Sequence, residues 1–291
     1  MPFEQLLLAL IPLFGWGTGD IFGVYASRKI GSYLTTFYQF LFGILLSTIV
    51  LPFVWQDMSN VRLPFLLLNI LVGTLYVLAN FFVNEGFKQA SAPVVGIIIQ
   101  SFPAIVLILS TLIFNDPINK SQILWIIMIF LGVILCSVNL SELNKSKYKF
   151  DVGIRYALAA TSIFSIYFTF FRIFSNQYGW FLPNYISFLT LPLALYLARK
   201  IIKEKSQLSV PRNLKVLLAT FVSAILIRSG DIALNLGVSQ GLASVVSPLA
   251  GAAPVLFIGT SAVVFKDKIS KQQICGIIIA LVGILGISFF V

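Results

Sequence analysis

The chain contains no histidine and only two cysteines, Cys136 and Cys275, in 291 residues. Each cysteine stands alone inside an apolar run, so the sequence offers neither a disulfide framework nor the ligand spacing of a zinc site. Both are expected to be packing residues. Charge is scarce too: 10% of residues are Asp, Glu, Lys or Arg, and only 10 are acidic. The longest polar stretches are 141–151 and 199–215, too short for a separate water-soluble domain or a loop-built active site. There is no metal-ligand cluster, no nucleophile motif with a base and no Gly-x-x-x-x-Gly-Lys-Ser/Thr loop. An enzyme and an ATP-driven pump are therefore disfavoured, and no cofactor is expected.

What is present is apolar. Hydrophobic residues make up 58% of the chain, 27 residues are phenylalanine, and the mean hydropathy is +0.97. That balance suits lipid as the solvent, where about 20 apolar residues form one helical crossing. Apolar runs between charged or turn-forming breaks predict ten helices, near 5–27, 33–54, 64–86, 92–114, 121–140, 153–175, 181–199, 213–237, 242–265 and 271–291. The expected fold class is an all-α integral membrane protein of ten transmembrane helices, in a plasma membrane of the bacterial inner-membrane type. The run Leu6 to Leu13 lacks the basic start of a signal peptide and continues through glycines into Ile21 to Tyr25, so it is read as the first crossing. Trp55, Trp125 and Trp180 fall near predicted helix ends, as interfacial aromatics do, whereas Trp16 falls well inside the first helix.

A net charge of +10 would suggest nucleic acid in a soluble protein. Here the basic residues sit at helix ends, so the lipid bilayer is the expected partner and nucleic acid is not. Connections one, three, five, seven and nine hold Arg28, Lys29, Lys88, Lys145, Lys147, Lys149, Arg155, Arg199, Lys200, Lys203, Lys205, Arg212, Lys215, Lys266, Lys268 and Lys271. The opposite connections hold Arg62 and Lys120. Because cytoplasmic loops collect lysine and arginine, this bias places the odd connections inside and both termini outside.

The sequence repeats itself. At an offset of 151 residues, without a gap, Val94 matches Val245, Val95 Val246, Pro103 Pro254, Phe114 Phe265, Asp116 Asp267, Ile118 Ile269, Lys120 Lys271, Gln122 Gln273 and Gly132 Gly283. Extended backwards, the offset pairs Asn84 with Asn235, Gly86 with Gly237 and Gln89 with Gln240, and sets Asn80 opposite Asp231. The expected domains are a first five-helix repeat over 1–140, a polar linker over 141–152 and a second five-helix repeat over 153–291. Five is odd, so the second copy enters the membrane from the other side and the repeats are inverted, as in many carriers.

Ionisable groups inside a bilayer are costly and mark candidate sites. Asp20 lies in Gly15-Trp16-Gly17-Thr18-Gly19-Asp20, where Gly15, Gly19 and Gly23 form a small-residue stripe for helix packing. Asp20 is read as an ion or substrate contact, or else as the partner of Arg172 or an unpaired backbone group. Trp16, one turn earlier, is an aromatic wall or a core residue. Arg228, Asp231 and Asn235 share a face of the eighth helix at i, i+3 and i+7. That face contacts substrate or relays protons, or the ion pair simply neutralises itself. Asn80 and Asn84 form the equivalent face on the third helix. Gln100 completes the path or bonds a neighbouring helix, and Arg172 snorkels toward headgroups. Pro103, Pro254 and Pro248 are expected to kink helices four and nine.

These features resemble the drug/metabolite transporter superfamily, and within it the EamA-type proteins of two five-helix halves. The resemblance rests on Trp16-Gly17, on Ala90-Ser91-Ala92 leading through Val94 and Val95 to Ser101-Phe102-Pro103, and on Phe114-Asn115-Asp116-Pro117-Ile118 leading to Gly132. The second copy runs from Leu242-Ala243-Ser244 through Ala253-Pro254 and Phe265-Lys266-Asp267-Lys268-Ile269 to Gly283. The family usually carries glutamate where this chain has Asp116 and Asp267, which are read as fold-stabilising surface residues. Many relatives are assigned cytoplasmic termini, the reverse of the reading here. The resemblance implies a central cavity lined by helices one, three, four, six, eight and nine, and substrates such as amino acids, other metabolites or organic cations.

The expected function is secondary-active or facilitative transport of a small polar metabolite, amino acid-like or another zwitterion or organic ion, by alternating access. Trp16, Asp20, Asn80, Asn84, Gln100, Arg228, Asp231 and Asn235 are the candidate substrate or coupling residues, with protons as a possible coupling ion and a monomer or homodimer as the unit. The alternatives are export of drugs or organic cations, and a membrane enzyme or lipid-handling protein.

Overall fold

The computed structural model describes residues 3–54, 59–137, 151–202, 211, 213–239 and 249–290, and these are all-helical. The helices are α1 (Phe3–Val50), α2 (Leu63–Gln89), α3 (Ala92–Ile99), α4 (Phe102–Phe114), α5 (Lys120–Ser137), α6 (Val152–Tyr178), α7 (Leu182–Leu189), α8 (Leu191–Ile202), α9 (Leu214–Ser239), α10 (Ala253–Phe265) and α11 (Lys271–Phe290). Trp55, Pro248, the linker lysines 145, 147 and 149, the basic residues 203, 205 and 212, and the repeat partners Gln240, Val245 and Val246 lie outside the described residues.

At 48 residues α1 would be about 70 Å long if straight, twice the reach of one crossing. It divides at Gly31, whose φ of 81° and ψ of 160° no residue with a Cβ adopts readily. The gap expected between the first two helices is thus a single-residue joint. Seven described stretches are long and apolar enough to cross a membrane, the first of them, Leu7–Phe53, containing both arms of α1. Leu249–Phe265 is shorter, and α7 and α8 have only 8 and 12 residues. A tally of ten therefore requires counting the arms of α1 separately, α7 with α8 as one broken span, and the short helix ending at Phe265.

Pro103 and Pro254 mark helix breaks rather than kinks. The fourth predicted span is interrupted at Gln100 and Ser101, and Pro103 sits in the first turn of α4, where a missing N–H is harmless. Pro254 opens α10 in the same way after Ala252. Ser101 and Ala252, the two helix-capping positions, are 151 residues apart.

Other details recur at that offset. Asn115 and Lys266 end α4 and α10 in the left-handed conformation, at φ 58° and 52°. Asn119 and Gln122 bond each other's backbone N–H groups with their side chains to start α5, and Ser270 and Gln273 do so to start α11. On the exposed faces Leu112, Ile123 and Ile127 match Val263, Ile274 and Ile278, apolar rows that water would not tolerate and lipid does. The packing is also exchanged between halves: α1 lies against α9 and α10, while α6 lies against α2 and α4. The copies are inverted, because α6 starts beside Gly86 and Ala90, at the same end where Arg28 of α1 meets the Ala90 carbonyl.

Close approach of α1 and α9 explains the glycine stripe. A Cβ on Gly15 would fall inside van der Waals contact of the Leu226 carbonyl, and one on Gly19 would lie 2.8 Å from Ile227 Cγ1. The cysteines differ: Cys136 is buried, as expected, but Cys275 is exposed on α11 and is not a packing residue.

Candidate functional site

Arg228 of α9 is only 3% exposed and sits at the middle of the bundle. Its Nη1 donates to Asp231 Oδ2 at 2.6 Å and to the Tyr76 hydroxyl at 3.2 Å. The i, i+3 spacing on α9 puts both charges on one face, as the sequence pattern required. Trp16 Nε1 donates to the other Asp231 oxygen at 3.0 Å, so the half-buried tryptophan of α1 tethers that helix to α9. The Arg228 guanidinium also stacks on Phe188 and Phe40, 4.3 and 5.0 Å from the ring centres. Among the described residues its Nε has no hydrogen-bond partner.

Two narrow cavities flank this arginine, which lines both. One, with room for little more than a water molecule, is bounded by Asp20, Gly23 and Gln39 of α1, Asn80, Val83, Asn84 and Phe87 of α2, and Ala224 and Ile227 of α9. The other, no larger, is bounded by Ser47, Trp180, Phe181, Asn184, Tyr185 and Phe188, with Asp231, Ile232 and Asn235 of α9. Asn80 and Asn84 in the first cavity are the repeat counterparts of Asp231 and Asn235 in the second. The two polar faces seen in the sequence thus line two opposed cavities. The counterpart of Arg228 is the buried Val77, so this cation interrupts the symmetry at the partition between them.

Asp20 faces the first cavity. Its carboxyl makes no hydrogen bond to the described residues, and the charges nearest it are Asp231 and Arg228. Its neighbours are committed: Asn84 Nδ2 donates to Thr36 Oγ1 and Gln39 Oε1, both at 2.9 Å, Gln39 Nε2 to Ser223 Oγ at 2.8 Å, and Asn80 Nδ2 to the Tyr76 carbonyl at 2.9 Å. The cavity therefore presents a held amide wall and one uncommitted carboxyl, with Arg228 beside them, while the Arg228 Nε is buried against Gly43.

Three expectations are corrected. Arg172 is not the partner of Asp20: it binds Asp116 at 2.7 Å, near the far end of α6. Gln100 is not brought to the site, because it caps α3 at the break before α4 and lines neither cavity. No described residue of the fourth, sixth or ninth predicted helix lines these cavities; the second arm of α1 and α7 do, since Gln39 and Ser47 turn inward from a largely apolar arm. Gln39 was visible as the one amide side chain in the run 33–54. Tyr76, Tyr167 and Asn184 were not singled out, although Tyr167 stacks on Tyr76 at 4.3 Å and donates to Asn184 Oδ1 at 2.7 Å. Glu85 was also missed: buried near the Gly31 joint, it accepts from Ser32 and Gln89.

A duplicated helical bundle with lipid-type faces and a buried charge pair between two cavities is the architecture of a membrane transport protein. The chain belongs to the EamA-like transporter family, whose pattern matches residues 4–138 and again 151–289. An uncharacterized protein of Methanocaldococcus jannaschii is 30% identical over 74 residues, 25% of this chain and 54% of that protein. The chain thus spans about half the length of that relative. A crystal structure of a further protein superposes with a TM-score of 0.63 over 100% of this chain and 98% of its own, at 16% identity, a likeness of fold.

Proposed function

We propose that the protein is a ten-crossing carrier, with five-helix repeats over 1–140 and 153–291, that moves a small zwitterionic metabolite of the amino acid type by alternating access. The observation that carries this reading is that the uncommitted Asp20 carboxyl and the buried Arg228 line one cavity. The Asp20 carboxyl suits an ammonium group and the Arg228 cation a carboxylate, while the surrounding amides are already bonded and hold the geometry. Asp231 and Trp16 keep Arg228 in place. Asn235, across the partition, takes the corresponding position in the other cavity. Each cavity has room for water but not for a larger solute, so loading requires the helices to part. With no nucleotide-binding loop, the driving force is a gradient, and Asp20 is the residue suited to exchange a proton for substrate.

A thermal-shift screen of purified protein against amino acids, nucleosides, sugars and organic cations tests the substrate class. At least one zwitterionic amino acid is expected to raise the melting temperature of the parent and not of Asp20→Asn. Stabilisation by organic cations alone would instead favour the drug-export reading, which the Trp180, Phe181, Tyr185 and Phe188 wall of the second cavity supports.

The end of the bundle carrying Arg28, Lys88, Lys266 and Lys268 is assigned to the cytoplasm from its basic residues, in a bacterial-type plasma membrane. An impermeant maleimide added to intact cells is expected to leave Lys268→Cys unlabelled and to label Asn119→Cys. The reverse pattern would invert the orientation.

A further inference from the structure

The two halves are tied together at opposite ends of the bundle by the same three-part arrangement. At one end Arg28 of the first half stacks on Phe265, 4.9 Å from its ring centre, and grips Asp267 of the second half through Nη1 and Nη2 at 3.0 and 2.7 Å. At the other, Arg172 of the second half stacks on Phe114, at 5.3 Å, and donates to Asp116 of the first half at 2.7 Å. Phe114 and Phe265, and Asp116 and Asp267, are repeat counterparts. Each arginine lies near the end of the opening crossing of its own half, the first arm of α1 or α6. The inverted repeat thus reproduces one inter-half bond on both faces of the membrane.

The two bonds are unequal in strength. Arg28 also donates to the Phe87 and Ala90 carbonyls at 3.0 Å, and Asp267 accepts the Ala92 N–H at 2.8 Å. Their side chains are 26% and 18% exposed, against 57% and 42% for Arg172 and Asp116. Burial alone would raise the Asp267 pKa, but the Arg28 bonds and the Ala92 N–H outweigh it and hold the carboxyl below the usual aspartate value. Phe87 links the bond to the site, because its carbonyl takes the Arg28 Nε–H while its side chain lines the Asp20 cavity.

We propose that Arg28–Asp267 and Arg172–Asp116 are alternating clasps: each closes the cavity at its own end, and the first is fully engaged in the state seen here. This rests on the transport reading, since only a carrier needs two gates that are never open together. Parting the halves at the Arg28 end breaks three hydrogen bonds and one ring contact, and parting them at the Arg172 end breaks one of each. The resting protein therefore favours access from the Arg172 end.

The test measures maleimide labelling rates of single cysteines in nanodiscs, with Cys136 and Cys275 replaced and no solute present. Val83→Cys reports the Asp20 cavity and Tyr185→Cys the opposite one. Asp267→Asn is expected to speed labelling of Val83→Cys roughly tenfold, the worth of a charge-assisted hydrogen bond, and to slow Tyr185→Cys. Asp116→Asn should do the opposite by roughly two- to fivefold, as befits an exposed pair. If Asp267→Asn does not fold, Arg28→Lys carries the test, because it keeps a cation but loses the fork and its carbonyl bonds. Rates that stay unchanged, or that move in the same direction at both reporters, would overturn the clasps. Opposite shifts in a protein that moves no solute would leave the clasps standing and remove the transport reading instead.

Discussion

Asp231→Ala is expected to be the most destabilising single change in the site, at about 3–5 kcal/mol, because it leaves a buried guanidinium without its counter-charge. Arg228 would keep only the Tyr76 hydroxyl and two aromatic faces, and Trp16 would lose its acceptor. The loss follows from stranding a charge and not from any large net worth of the pair, since burying two ions gives back much of their attraction. That distinction yields a second outcome. The double variant Arg228→Met with Asp231→Leu, which strands no charge, is expected to melt closer to the parent than Asp231→Ala does, while losing transport. Thermal unfolding of the purified variants checks both. If the double variant is as unstable as the single, the pair is a structural device and its place in the solute path is lost.

Asp20→Asn should behave in the opposite manner. Its carboxyl makes no hydrogen bond to the described residues, so the amide removes charge without breaking protein contacts, and the melting temperature should stay near that of the parent. Transport, however, should fall roughly 10- to 100-fold, the loss of one charge-assisted contact to the solute. A parallel fall in stability would show instead that Asp20 serves folding. The two aspartates sit on either side of the same arginine, one bonded and one not, and this difference separates a residue that holds the site from one that serves the solute.

The duplication was legible in the sequence because the turns after α4 and α10 keep Phe, Asp, Ile, Lys and Gln in register: the Gln residues cap the next helix, and the Asp and Phe residues hold the arginines that join the halves. The paired polar faces of α2 and α9 were legible for a different reason, namely that asparagine, aspartate and arginine are conspicuous in an apolar run. Periodicity did not reveal what apolar neighbours conceal. Tyr76 and Tyr167 are aromatic residues in an aromatic-rich chain, and only the fold shows that they pack around Arg228. Pairing across the bundle was likewise hidden: Arg172 and Asp20 had plausible charges for each other, but α6 carries Arg172 to the end where Asp116 waits. The extent of helix breaking was also missed, since a proline marks a possible interruption without saying that α3 and α4 separate at Gln100 and Ser101.

Counterflow in proteoliposomes tests the carrier most directly, because only a protein that presents its site to one side at a time exchanges labelled solute against a preloaded pool. Vesicles holding the parent protein, preloaded with an unlabelled zwitterionic amino acid that stabilises it, should transiently concentrate the radiolabelled form from outside, and Asp20→Asn vesicles should not. Simple equilibration without overshoot, or an overshoot that Asp20→Asn leaves intact, would contradict alternating access at this site.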